Sequence, residues 1–168
     1  MSYHLVVYPS NILTKKCKQV NDVDQSIQVL VSEMFSIMRQ VKGVGISAPQ
    51  IGVLKCISII EPDPQTSYVL INPFILEHSG SNEDVEGCLS FPGVKAIVSR
   101  PTYLKVKALD LKGEERIIEA EDRLARIFAH EIDHLNGILM IDRLSYLKRD
   151  SIKRKMLKKE RKYMQSLV

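Results

Sequence analysis

Two histidines four residues apart with acids between them, His130-Glu131-Ile132-Asp133-His134, constrain this chain more than any other stretch. On a helix of 3.6 residues per turn the two imidazoles diverge by only about 40°, so both reach one ion while Glu131 flanks it. Hydrolytic metal sites usually take three protein ligands and keep a fourth position open, so another residue must complete the set. Two obvious sources fail. The glycine-spaced third histidine of one zinc-protease class is replaced by Met140, although Gly137 is present. A downstream glutamate would have to be Glu160, which lies among lysines and arginines that it is expected to pair with. The other histidines, His4 and His78, are isolated and read as ordinary surface or core residues.

The best remaining ligand is Cys88, in Glu86-Gly87-Cys88-Leu89-Ser90. Taken alone it reads as a buried, inert thiol, the common fate of free cysteines. Beside a two-histidine helix it reads as a thiolate ligand, with Gly87 leaving room for a substrate chain next to the ion. A third segment, Gly43-Val44-Gly45-Ile46-Ser47-Ala48-Pro49-Gln50, alternates glycine with apolar residues, as expected of backbone that something else approaches closely. It lacks the Lys-Ser/Thr of a phosphate loop and the third glycine of a dinucleotide fingerprint. Its Pro-Gln ending argues against a continuing helix.

These three segments, in this order, resemble the signatures of the peptide deformylases: Gly-x-Gly-x-Ala-Ala-Pro-Gln, Glu-Gly-Cys-Leu-Ser and His-Glu-x-x-Asp-His-Leu-x-Gly. Matches run from Gly43 to Gly137, and Tyr8-Pro9 and the basic C-terminal helix are similar too. The resemblance implies that Cys88, His130 and His134 bind one metal ion and that Glu131 is the general base. It implies that the Gln50 side chain and the Leu89 backbone N–H stabilise the oxyanion of the tetrahedral intermediate. The implied reaction is removal of the formyl group from the formyl-methionine end of newly made polypeptides, with release of formate. An extended peptide is expected along the Gly43–Gly45 strand, with Gly45 and Gly87 as backbone partners. Val44 and Ile127 either line the methionine pocket or serve as ordinary core. Thiolate and imidazole ligands by themselves suit zinc. The resemblance points instead to one Fe²⁺ per chain, with Zn²⁺, Ni²⁺ or Co²⁺ as substitutes. Two positions depart from the pattern: Ser47 replaces an alanine, adding a hydroxyl that needs a partner if buried, and Lys95 stands where some members carry an arginine near the cleft.

Composition agrees with this reading. A chain of 168 residues, 45% of them hydrophobic, is long enough for one domain with a substantial core. The three cysteines, Cys17, Cys56 and Cys88, are odd in number and far apart, which favours a reducing compartment over a disulfide framework. No apolar run approaches the roughly 18 residues of a membrane span, and the first residues carry no secretory pattern, so a cytoplasmic protein without membrane or DNA partners is expected.

Apolar residues at helical spacing, Ile27, Leu30, Val31, Met34, Met38 and Val41, predict a core-facing helix capped by Asp24. Residues 55–60 and 68–72 read as strands separated by a loop containing Pro62 and Pro64. Residues 104–109 and 115–120 read as a hairpin, and residues 123–136 as the metal-binding helix, ended by Gly137. Without regular βαβ alternation the class is α+β: short antiparallel sheets packed around a central HExxH helix, plus a C-terminal helix, in one catalytic domain over residues 1–168. That last helix, about residues 146–164, is strongly basic. Residues 148–162 carry nine basic and two acidic side chains, a net +7 against +4 for the whole chain, which leaves the remainder at −3. Such a run is usually a solvated face. In the resembling family it docks on the ribosome.

Overall fold

The computed structural model describes residues 3–166. Three helices and two antiparallel sheets make up the α+β fold. Helix α1 (Gln25–Gln40) starts where expected: Asp24 accepts the Ile27 N–H at 3.1 Å and so satisfies a donor of the first turn. Its buried face is Ile27, Leu30, Val31, Met34, Ile37 and Met38. Val41, expected in that face, falls at the C-cap and is 37% exposed, because the helix has ended before its spacing can bring it back to the core.

The larger sheet has the order β1-β2-β3-β6-β7, with β1 (Gly45–Ser47), β2 (Ile57–Asp63), β3 (Thr66–Ser79), β6 (Tyr103–Leu109) and β7 (Glu115–Glu121). The smaller pairs β4 (Asn82–Gly87) with β5 (Lys95–Arg100). Alternation along β2 divides the core. Ile57 and Ile59 join the α1 cluster with Ile46 and Met34, whereas Ile60 joins Leu104, Val106 and Phe128 in the cluster under helix α2 (Asp122–Leu135). The sheet's β1–β2 end therefore lies between the two helices.

The β6–β7 hairpin is close to its expected limits. Elsewhere the strands run longer than their sequence signals. Pro62 lies inside β2 rather than in a loop, and the turn is confined to the residues between Asp63 and Thr66, which pair with each other. β3 continues seven residues past Asn72, its expected end. Asn72 has φ +53° and marks a bulge, and its amide binds both the N–H and the C=O of Val20 at 2.8 and 2.7 Å. The β4–β5 hairpin has no clear signal in the sequence, because half of its first strand is charged and Val85 and Ile97 face solvent.

A third cluster ties the ends of the chain together. Leu13, Phe91, Val94, Val98, Leu139 to Ile141 and Met156 pack with one another, so the basic helix α3 (Tyr146–Gln165) is anchored through Met156. Helix α2 stops in a left-handed turn. Gly137 has φ +71°, its N–H reaches the His134 carbonyl at 3.1 Å, and the Ile138 N–H reaches that of Asp133 at 3.0 Å. A β-carbon on Gly137 would lie 2.5 Å from the Thr14 carbonyl oxygen. Gly137→Ala is expected to lose about 1–2 kcal/mol from the backbone conformation alone, with the clash adding to it. A lowered midpoint in urea unfolding measures this, and a midpoint equal to that of the parent would contradict it.

Candidate metal centre and its cleft

Helix α2 is buried on three faces, each with its own chemistry. Ala125, Phe128, Ala129 and Ile132 pack against the larger sheet. Glu131 points toward β1. Arg126, His130 and Asp133, spaced i, i+4, i+7, meet the β4–β5 hairpin. The stretch from Phe128 to Leu135 is buried without a break, so its four ionisable groups are held away from water.

Cys88 follows directly on β4, which carries its sulfur to the two imidazoles. His134 Nε2 lies 3.3 Å from Cys88 Sγ and 3.2 Å from His130 Nε2, and all three donor atoms lie within 4.8 Å of one another. Ligands of one tetrahedral ion at bond lengths of about 2.0–2.3 Å stand roughly 3.3–3.6 Å apart, so these three fit a single divalent cation. His130 Nδ1 binds Glu86 Oε1 at 2.5 Å. That bond orients the ring, with Nδ1 toward the carboxylate and Nε2 toward the other two donor atoms. His134 Nδ1 has no hydrogen-bond partner among the described residues.

Burial pushes both histidines down from their usual range. In His134 that effect prevails, reinforced by the charge of His130. In His130 it is outweighed by the hydrogen bonds to Cys88 and Glu86, which raise it well above that range. Burial likewise raises Glu131, against the pull of His130 and of a hydrogen bond from Ser47.

A cleft of about 720 Å³ opens over this centre. Val44 and Gly45 line one side, Gly87, Cys88 and Leu89 the other, and Ile127, His130 and Glu131 the floor, with Gln50 at the edge of the donors. Only His134, 1% exposed, lies behind that surface. All ten residues singled out by the sequence thus converge on one place. Gln50 is fixed at both ends of its amide: its Oε1 accepts the Ser47 N–H at 2.9 Å, and its Nε2 lies 3.2 Å from Ser90 Oγ and 3.7 Å from Cys88 Sγ. The two glycines of the first motif make room for side chains of the protein itself. A β-carbon would lie 2.9 Å from Leu89 Cδ1 at Gly43 and 2.6 Å from Glu131 Oε1 at Gly45. The Ser47 hydroxyl, fully buried, has its partner in Glu131 Oε2 at 2.6 Å.

A family model described as polypeptide deformylase matches residues 2–150. The chain belongs to that family. Among its relatives, peptide deformylase 1 of Clostridium acetobutylicum is 49% identical over 138 residues, covering 82% of this chain and 91% of that protein. The crystal structure of a peptide deformylase from Legionella pneumophila has a TM-score of 0.89 at 41% identity, covering 95% of this chain and 96% of that one. That of the Ehrlichia chaffeensis peptide deformylase in complex with actinonin has a TM-score of 0.90 at 40% identity, covering 94% and 97%. Peptide deformylases are metal-dependent hydrolases that remove the N-terminal formyl group from newly synthesised polypeptides, and this chain is one of these enzymes.

The deformylase also uses residues to which the sequence alone assigned no role. Glu86 is gripped by Arg100 through two hydrogen bonds of 3.0 and 2.7 Å, and by Arg126 at 3.3 Å. Arg100 continues to Asp133 at 2.5 Å, and Asp133 to Arg143 at 3.0 and 2.5 Å. Glu86 and Asp133 were visible as acids inside the two ligand motifs, one two residues before Cys88 and the other next to His134. Arg100 had no signal, since its partners lie 14 and 33 residues away.

Burial tends to raise Glu86, but hydrogen bonds from His130 and Arg100 outweigh it and hold the carboxyl at about 2. A carboxyl depressed in the folded state stabilises the fold above its unfolded value of 4.5, and that contribution is lost as pH falls toward about 2. Glu86→Gln is therefore expected to be less stable than the parent at pH 7, with the gap closing between pH 4.5 and 2. Leaving Arg100 partly uncompensated puts the neutral-pH loss at about 3–5 kcal/mol. Urea unfolding of both proteins across that range measures it, and a gap independent of pH would refute the assignment.

Proposed function

We propose that Cys88, His130 and His134 hold the metal ion and that Glu131 is the general base for hydrolysis of the formyl amide. The single observation that supports this most is the convergence of one sulfur and two Nε2 atoms within 4.8 Å, with the Glu131 carboxyl on the same cleft floor. A divalent cation bound there supplies Lewis-acid activation of water and of the formyl carbonyl. Glu131 takes the proton of the attacking water and returns it to the departing amine. Its raised affinity for protons, caused mainly by burial, suits it to both transfers. Gln50 Nε2, beside Cys88 Sγ, and the Leu89 backbone N–H face the oxygen on which negative charge develops.

The substrate reading rests on the same cleft. β1 is the end strand of its sheet and among the described residues pairs only with β2, so its other edge can receive an extended peptide, with Gly45 and Gly87 offering backbone groups. Val44, 39% exposed, and Ile127 supply apolar lining for the methionine side chain. The ion we propose is one Fe²⁺ per chain, replaceable by Zn²⁺, Ni²⁺ or Co²⁺, and the compartment is the cytoplasm. No helix among the described residues is long and apolar enough to cross a membrane.

Helix α3, mostly beyond residue 150, belongs in this proposal to the same catalytic domain, 1–168, because Met156 is only 3% exposed in the third cluster. Its exposed basic side chains form the surface proposed to meet the ribosome. Glu160 is exposed there and makes no ion pair among the described residues, contrary to the pairing expected of it.

Anaerobically purified protein should contain one iron per chain, release formate from a formyl-methionyl peptide without cutting the peptide chain, and lose activity in air as the thiolate and iron oxidise. New internal peptide amines instead of formate would overturn the reading. Gln50→Ala should lower kcat by about 100-fold to 1000-fold with little change in KM, since the donor acts in the transition state. A rise in KM alone would remove Gln50 from that role. Replacing Lys155, Lys158, Arg161 and Lys162 with glutamine keeps the Met156 anchor. The variant should lose salt-sensitive co-sedimentation with ribosomes while keeping its activity on free peptide. Unchanged co-sedimentation would refute the docking role.

A further inference from the structure

Beneath the cleft floor two buried serine hydroxyls meet Glu131, one of them at its carboxylate. Ser47 of β1 and Ser58 of β2 are register partners, both fully buried, with their Oγ atoms 2.7 Å apart. Ser47 Oγ lies 2.6 Å from Glu131 Oε2 and 2.9 Å from the Glu131 carbonyl oxygen, and Ser58 Oγ lies 3.4 Å from that carbonyl.

Counting protons fixes the direction of the chain. Each hydroxyl has one proton to give, and the Glu131 carbonyl already accepts from the helix N–H four residues on. The shortest contact, to the charged oxygen, takes the Ser47 proton, and Ser58 then donates to Ser47 Oγ. Oε2 is thereby engaged by a residue that does not line the cleft. Oε1 lies against Gly45, which does, at a point where a β-carbon would be only 2.6 Å away.

We infer that Ser47, backed by Ser58, is a positioning residue that holds the Glu131 carboxylate with one oxygen turned to the cleft. The inference rests on the proposed role of Glu131 as the base. Ser47 stands where the family pattern has an alanine, and its hydroxyl makes a contact that an alanine cannot. Its hydroxyl fits without cost because it completes a closed set of bonds: Ser58 gives, Ser47 relays and Glu131 receives. Gly45 complements it from the other side, since any larger residue would push the carboxylate off the serine.

The test combines kinetics with structure. Ser47→Ala is expected to lower kcat on a formyl-methionyl peptide by on the order of 10-fold, with KM and metal content per chain unchanged. Its crystal structure should show the Glu131 carboxylate turned from its place beside Gly45. Ser58→Ala, which leaves Ser47 in place, should lower kcat by a smaller factor in the same direction. In a Glu131→Gln background Ser47→Ala should cause no further loss, because a residue acting only through the carboxylate has nothing left to position. Should Ser47→Ala fail to fold, Ser58→Ala alone decides. Unchanged kcat in the serine variants, or an equal loss with and without the Glu131 carboxylate, overturns the inference. A Glu131→Gln enzyme of full activity would instead overturn the base assignment, which separates the two failures.

Discussion

A buried helix rich in ionisable groups is expensive unless its charges are paired, and the chain Glu86–Arg100–Asp133–Arg143 pairs Asp133 and, through Glu86, His130. It runs from β4 through β5 and α2 to the segment before α3. It also ends at His130, so the same bonds that make burial of α2 tolerable orient the imidazole. Scaffold and centre are one electrostatic unit. The apolar clusters on either side supply the bulk of the burial, while the ion pairs tie α2 to the β4–β5 hairpin and to Arg143.

Much of the centre was legible because its geometry is local. His130 and His134 share a helix, so their spacing alone places them side by side, and Glu131 comes with them. Cys88 and Gln50 are distant in sequence: Cys88 was reached as the ligand left once the other candidates failed, and Gln50 only through the resemblance of its motif to that of a known family. Arg100 could not be found in this way, since its importance lies in two partners that the fold brings from separate elements. The serine pair was half visible. A buried hydroxyl at Ser47 demanded a partner, but nothing in the sequence says that Ser58 lies opposite across a two-strand register.

The fold divides along the same line. Helix α1 and the β6–β7 hairpin follow from periodicity, because one face of each is apolar and the other polar. The β4–β5 hairpin follows no such rule: it is held by the ion pair of Glu86 with Arg100 and by Val98 in a cluster assembled from distant segments. β3 extends past Asn72 by pairing with β6, and the bulge at Asn72 is tied by a side-chain bridge to Val20, a contact across 52 residues that no window of sequence contains. Glycine spacing in the first motif was read correctly as close approach, although the approaching groups proved to be Leu89 and Glu131 of the protein itself.

The anchoring of α3 gives the molecule a mechanical link that its charge pattern conceals. Met156 sits among Phe91 and Val94, and Lys159 Nζ donates to the Pro92 carbonyl at 3.2 Å, so the basic helix rests on the loop that forms the rim of the cleft. Load applied to the outer side of that helix has a short, rigid route to the rim. A large assembly gripping the tail would therefore hold the mouth of the cleft at a fixed height and tilt, leaving an emerging chain end to thread into a stationary opening.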